Sequence, residues 1–583
     1  MANFYDTLVE VLKADKRFFT EDGALLRNKV YESALNMEAG LIELLLSNAE
    51  TKKRFFVDVN GTFVFDKVAF GWVVNNRQFL PDSYTRFKNR IGLTDGRGEL
   101  LSASNDVVLS FPYKDCVLEG GQTREDQKQD EVFYNETLAP NEVDRLLYPK
   151  VLTSSRRFSY SGEVDLTGNP TGGDDCISES EVADVADADN LIIKGNNLLA
   201  ISSLLTNLEG KVNLIYLDPP YNTNSDSFRY NDTFNHSTWL TFMANRLRIA
   251  KRLLSPDGSI YVQLDYNEIH YFKVLMDEIF GEECFQREII WDTQVLSGYK
   301  TIANNWVRGH DTILFYTKNP KMFKFHKQRM PHRKEYLDRF NKVDENGRHY
   351  FDGRGTVLYL DEVIEKGKPV GDVWYDIMSF QQIPTAKERV EFSTQKPEAL
   401  LQRIIQAATD EGDIVLDFFA GSGTTGCVAH KLHRRYIMVE QLDSQIEIQL
   451  RRLKKIVSGK DDGALASSLN WHGGGSFVYC ELAKCNQQYV DEAMAAKTDA
   501  QMAALLERVM KSAFISSKVK PSDIADSATD FESLSLEDKK RFIIELLDKN
   551  MLYVNLCDID DEEYAISEAD KAFTRSFYGL EEK

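Results

Sequence analysis

Val212-Asn213-Leu214-Ile215-Tyr216-Leu217-Asp218-Pro219-Pro220-Tyr221 is an apolar run that ends on an acid, two prolines and an aromatic ring. Its length and composition are those of a buried strand bounded by turn-formers. Two consecutive prolines can neither extend a hydrogen-bonded ladder nor enter a helix, so the strand must stop there. Asp218 and Tyr221 are thereby held at the carboxyl end of a strand, where open α/β sheets place their ligands. A capped strand end without chemistry is the plain alternative, and the flanking sequence decides between the two.

Upstream, Leu191 to Lys194 reads as a short strand and Gly195 as a turn. Leu198, Leu199, Ile201, Leu204 and Leu205 form the apolar face of a helix that leads into the run above. Strand, helix and strand at this length make a βαβ unit, so a parallel sheet is expected. Downstream, Ser237 is the expected N-cap of a helix with apolar positions from Trp239 to Leu254. Ser255-Pro256-Asp257-Gly258 then turns the chain into a strand Ser259 to Leu264, and Gly281 closes a helix from Asn267 to Phe280.

Far along the chain, the strand Asp413 to Asp417 meets Phe419-Ala420-Gly421-Ser422-Gly423-Thr424-Thr425-Gly426, and Tyr436 to Val439 forms a further strand ending at Glu440. Glycines between a strand and a helix let the backbone approach a ligand, and the helix start offers free N–H groups. An acid about 20 residues further on is where a ribose diol is usually gripped. Read alone, Gly421-x-Gly423-x-x-Gly426 also fits the dinucleotide fingerprint, which leaves an NAD or FAD enzyme as a competitor. The loop does not separate the two ligands, since both carry adenosine. Asp218 to Tyr221 offers nothing suited to hydride transfer. It does suit an amine acting as nucleophile: the carboxylate and a proline carbonyl can accept its two N–H groups, and Tyr221 can stack on an extruded base.

At 583 residues, 43% of them hydrophobic, the chain is too long for one core. No run of ~18 apolar residues marks a membrane span, and Met1 to Phe18 lacks a signal-peptide pattern. The seven cysteines (116, 176, 284, 427, 480, 485, 557) are scattered, so reduced thiols, a cytoplasmic setting and no bound metal are expected. A net charge of -21 argues against non-specific binding of nucleic acid by the whole molecule. Residues 300 to 354 depart from this, with 13 Lys/Arg against 6 Asp/Glu, interleaved with aromatic rings. Base and phosphate contact is the functional reading of that stretch, an ordinary surface domain the bland one.

Asp218-Pro219-Pro220-Tyr221 together with Phe419-x-Gly421-x-Gly423 resembles the S-adenosylmethionine-dependent amino-methyltransferases of DNA, with the catalytic motif first, as in their permuted β group. Ser393-Thr394-Gln395-Lys396-Pro397 resembles the motif that precedes the glycine loop in that family. Ile193 to Leu198, Leu217 to Thr223, Leu275 to Gly281 and Leu552-Tyr553-Val554-Asn555 are similar to the Mod subunits of type III restriction-modification systems.

The resemblance implies a SAM-dependent Rossmann-like, mostly parallel sheet that methylates the N6 of a flipped-out adenine, since an Asp-led motif is usual for adenine and a Ser-led one for cytosine-N4. It implies Asp218, Pro219, Pro220 and Tyr221 as the catalytic motif. Asn196, Thr394, Lys396, Asp417, Phe419, Gly421, Ser422, Gly423, Thr424 and Glu440 would bind the cofactor, with Glu440 on the ribose, Asn196 near the adenine, and Thr394 and Lys396 near the amino-acid end. Lys300, Arg308, Lys318, Lys327, Arg333 and Lys334 are the candidate contacts to double-stranded DNA.

The expected organisation is an α+β module (1–118), an acidic connector (119–189), the catalytic half of the core (190–290), an inserted target-recognition domain (291–380), the cofactor half (381–457) and a C-terminal helical domain (458–583). A homodimer and a helicase-nuclease partner are implied. A solitary methyltransferase for adenine or cytosine, and a DNA-reading scaffold, stand as alternatives.

Overall fold

The computed structural model describes residues 4–70 with short gaps, 146–163, 176–222 without 187, 236–293, 304–515 without 354, and 528–580. The chain divides into two compact units, 1–91 and 92–583. In the first, the helices Phe4–Leu12, Ala39–Ser47 and Ala49–Phe55 and a hairpin share a core of Leu8, Leu12, Leu41, Leu45, Phe55, Phe65 and Phe70. The hairpin pairs Phe56–Val59 with Thr62–Phe65, Val59 opposite Thr62; the Asn60-Gly61 dipeptide between them lies outside the described residues. The strand expected at residues 107–111 and the polar stretch 119–130 lie outside the described residues.

The second unit is built on an eleven-stranded sheet. In chain order its strands are β1 (Leu152–Tyr160), β2 (Ile177–Glu181), β3 (Leu191–Lys194), β4 (Val212–Leu217), β5 (Leu254–Leu264), β6 (Phe285–Asp292), β7 (His310–Thr317), β8 (Val373–Trp374), β9 (Ile414–Asp417), β10 (Arg435–Glu440) and β11 (Ser476–Leu482). Their spatial order is β8-β6-β7-β5-β4-β9-β10-β3-β11-β1-β2. The six central strands from β5 to β11 run parallel. Buried on both faces, their centres read as largely apolar runs rather than as alternation.

Three helices cover one face, α1 (Asn197–Leu208), α2 (His236–Leu253) and α3 (Ile269–Phe280), and pack Leu198, Leu204, Trp239, Leu247, Phe272 and Met276 into one core. The other face carries α4 (Glu398–Ala408), α5 (Thr424–Lys431) and α6 (Asp443–Val457) over a second core of Leu214, Tyr216, Leu401, Ile404, Val428 and Leu453. β4 and β9, nearly 200 residues apart in sequence, are hydrogen-bonded neighbours, with Leu214 opposite Val415. From this pair the chain order runs outward in both directions, and such a switch point opens a crevice at the carboxyl ends.

Several expected boundaries move. Residue 291 lies inside β6, and β7 also belongs to the main sheet, so the insertion proper spans about 318–372 with small antiparallel sheets of its own. Part of the expected connector is sheet. β1 and β2 form the far edge, where the polar face of Ser178 to Glu181 is solvated and Arg156 pairs with Glu179. The C-terminal region is not separately helical, because β11 runs parallel beside β3 and its Val478, Cys480 and Leu482 are buried. Ser237 falls inside α2 rather than capping it, and β5 starts at Leu254, with the expected turn residues 255–258 as an irregularity in its ladder: Leu254 pairs with Val212 and Ser259 with Leu214.

Candidate active site

At the switch point the two motifs meet. Asp218 follows β4, Phe419 to Ser422 follow β9, and Thr394 and Lys396 arrive from the segment before α4. One cavity is lined by Asp218, Pro219, Pro220, Tyr221, Thr394, Lys396, Asp417, Phe419, Gly421, Ser422 and Thr424, together with Phe392, which the sequence reading had not singled out.

The tetrapeptide is fixed from several sides. The Lys396 ammonium pairs with Asp218 Oδ2, donates to the Thr394 carbonyl at 3.3 Å and lies 5.2 Å from the Tyr221 ring centre. Asp218 Oδ1 is buried and has no hydrogen-bond partner among the described residues. Asp218 nevertheless keeps 19% of its side-chain surface. Burial pushes its carboxyl above the ordinary range, against the pull of the Lys396 ammonium and the Tyr221 hydroxyl. The Pro220 carbonyl accepts from Trp239 Nε1 at 2.9 Å. Tyr221 donates its hydroxyl to Asp311 Oδ2 at 3.4 Å, and Gln263 Nε2 donates to the same oxygen at 3.1 Å.

The glycine loop is held by α6. Gln449 Nε2 donates to the Gly421 carbonyl and the Arg452 guanidinium to the Ser422 carbonyl, both at 2.9 Å. Gly421 and Gly423 have φ of +50° and +76°, a region that penalises a side chain. A Cβ at Gly423 would also stand 2.8 Å from Gln449 Cγ. Asp417 is buried at the base, where it accepts from the Thr425 hydroxyl at 2.6 Å and the Phe419 N–H at 3.0 Å. Burial pushes its carboxyl up to about 7, and the charges of Asp218 and Glu440 add to the rise.

Three expected cofactor residues do not line this cavity. Glu440 turns its carboxylate to the backbone and accepts from Gly421 N–H at 2.9 Å and Gln441 N–H at 2.8 Å. Asn196 caps α1, its side-chain oxygen accepting from Leu198 N–H at 3.1 Å, while its own N–H donates to the buried Tyr553 hydroxyl. Gly423 lies beneath the loop against α6.

The candidate DNA contacts scatter. Arg308 is locked between Asp265 (2.7 Å) and Asp311 (2.8 Å), and Lys318 donates to the Leu254 carbonyl at the other end of β7. Lys327, Arg333 and Lys334 are exposed on the insertion, and Lys300 lies outside the described residues. Among the described residues, no group of three or more His, Cys, Asp or Glu is placed to hold a metal ion, and no helix is long and apolar enough to cross a membrane.

Residues 212–451 match the family model described as a DNA methylase, and residues 38–93 match that of the type III restriction/modification enzyme methylation subunit. The HindVI Mod subunit of Haemophilus influenzae, itself described as part of a probable type III restriction-modification enzyme, is 31% identical over 746 aligned positions that cover 98% of each chain. The chain belongs to the type III restriction-modification Mod subunits. Its likeness to the StyLTI Mod subunit of Salmonella typhimurium (29% identity) covers 43% of this Mod chain and 51% of the relative. The type II methyltransferase M.HpaI of Haemophilus parainfluenzae is 31% identical over 47% of this chain and 77% of its own. In this Mod subunit, the methylase match begins with β4 and ends within α6, and so takes in both motifs and the insertion between them.

Proposed function

We propose that this Mod subunit transfers a methyl group from S-adenosylmethionine to the exocyclic N6 of an adenine extruded from double-stranded DNA. The observation that carries the reading is the Asp218 carboxylate, with one oxygen committed to Lys396 and the other buried and unpartnered in the crevice shared with the glycine loop. An exocyclic amine conjugated to a purine is a weak nucleophile because its lone pair is delocalised into the ring. Asp218 Oδ1 accepts one N–H and the Pro219 carbonyl the other. These two bonds hold the nitrogen toward a pyramidal geometry, with its lone pair directed at the methyl donor. Tyr221 stacks on the base, and the Tyr221–Asp311 bond sets the plane of its ring. Desolvation and alignment supply the rate, with no covalent intermediate.

The cofactor fits this cavity by its cradle: the left-handed Gly421 with no Cβ, the N-terminal end of α5 at Thr424, and the aromatic rings Phe392 and Phe419. Phe419, Gly421, Ser422, Thr394 and Phe392 would hold it, and when bound it supplies an electrophilic methyl on sulfur. Glu440 reaches the ribose only if its carboxylate also keeps the Gly421 N–H, a dual use its two oxygens allow.

Sequencing host DNA with and without the protein tests the proposal, with N6-methyladenine at one short sequence as the expected result. N4-methylcytosine in its place would refute the adenine assignment. Asp218→Ala should abolish methylation and leave cofactor binding largely intact, and an active variant would remove Asp218 from the mechanism. The family placement supports a helicase-nuclease partner in restriction, which co-purification with the neighbouring gene product checks.

A further inference from the structure

Trp306 exposes 96% of its surface, more than any other large apolar side chain among the described residues. Tryptophan is enriched at contact surfaces, where its broad flat ring finds a partner. Its position follows from the sheet. β7 runs antiparallel to β5 with Thr312 opposite Leu264, and β5 runs parallel to β4 with Val262 opposite Leu217. The segment entering β7 therefore emerges at the same sheet edge as Asp218.

The segment is tied to the sheet at Arg308. Trp306 N–H donates to Asn305 Oδ1 at 2.7 Å, and Arg308, two residues on, is clamped between Asp265 and Asp311. Asp311 also accepts the Tyr221 hydroxyl, so the backbone that carries Trp306 is tied, two residues on at Arg308, to the ring assigned to the target base. Two other exposed rings on this edge are engaged: Arg308 lies 5.8 Å from the Tyr266 ring centre, and His236 packs on Tyr271 at 4.6 Å. The Trp306 ring has no such partner among the described residues.

We propose that Trp306 enters the DNA duplex where the target base has left it and stacks on the neighbouring base pairs, with Arg308 and Asp311 holding it in register with Tyr221. The inference rests on the reading of this site as a methyltransferase of extruded bases. Removing a base from the stack forfeits its stacking on both neighbours, and a large flat ring in its place restores part of that contact without reading sequence. Arg308 then serves as a positioning residue instead of the phosphate contact its charge suggested.

The test uses the full chain and the site mapped by DNA sequencing, in two duplexes: one with the target base paired, and one with an abasic position opposite it. Trp306→Ala should slow single-turnover methylation of the paired duplex by roughly 5- to 150-fold, the range of one lost base–aromatic stack, but that of the unpaired duplex by no more than about threefold. Trp306→Phe should recover most of the rate. The fluorescence rise of 2-aminopurine at the target position should be lost with Ala and kept with Phe. Normal methylation of the paired duplex by the Ala variant, or an equal loss on both duplexes, would overturn the proposal. Wild-type protein that methylates neither duplex would overturn the methyltransferase reading and this inference with it.

Discussion

Lys396 pairs with Asp218, and the carboxylate proposed as an acceptor sits where burial favours its protonated form. An opposite charge in contact lowers a carboxyl pKa by about 1–3 units, so removing Lys396 should raise that of Asp218 by a comparable amount. Lys396→Met is therefore expected to move the acid limb of the pH–kcat profile toward higher pH, with kcat at alkaline pH much less affected. An unmoved limb would show that Asp218 does not control it.

Two buried groups act on stability in opposite senses. Asp417 is pushed up to about 7 in the folded chain, so its contribution is complete below the unfolded value near 3.8 and is lost as pH rises toward 7. His430, buried between the Gly474 carbonyl and the Tyr436 hydroxyl, is pushed down to about 4; its contribution is complete above 6.5 and is lost as pH falls toward 4. Each titration is worth about 1.4 kcal/mol per pH unit, so between about pH 4 and 6.5 the two slopes oppose one another. Denaturant melts of Asp417→Asn should consequently lose more stability on acidification across that window than those of the parent.

Among elements, the loop between β9 and α5 depends on α6 for its shape. Gly423→Ala meets both an unfavourable φ and the Gln449 side chain, itself fully buried. A loss of about 1–3 kcal/mol and a marked weakening of S-adenosylmethionine binding are expected, measurable by thermal melts and calorimetry. The two motifs and the βαβ units were legible in the sequence because each is contiguous and its turn chemistry is local. Residues that act through tertiary register were not legible. Asp265, Gln263 and Asp311 meet only because β5 and β7 run antiparallel, and no local pattern encodes that pairing. Arg452 and Gln449 did leave a trace, as polar residues standing in the buried register of α6 among Ile446, Leu453 and Ile456. Conversely, the charge of Arg308 and Lys318 suggested phosphate contacts, whereas acids and carbonyls near the sheet absorb both.

For the whole molecule, composition showed where the sequence departs from a simple α/β pattern but not where domains end. The segments at 152–160 and 476–482 looked peripheral because they pair with each other from opposite ends of the unit, and 177–181 because it pairs only with 152–160 at the edge, yet all three complete the sheet. A chain ending at residue 457 would lose β11 and expose the flank of β3, which also carries Gly195 and Asn196. Such a truncation is expected not to fold, whereas one lacking residues 1–91, which have a core of their own, should keep a cooperative melt and cofactor binding.

The insertion of β9 and β10 between β3 and β4 also constrains how this protein is made. During synthesis β3 and β4 emerge early, but the strands that must lie between them follow some 200 residues later. Until Glu440 has left the ribosome, the nascent sheet has two unpaired inner edges and a bare apolar face over α1. Long sequence separation slows folding, and exposed edges invite mispairing. The strand that ends at Asp218 thus waits for its neighbour, the strand that ends at Asp417, before its inner edge is paired.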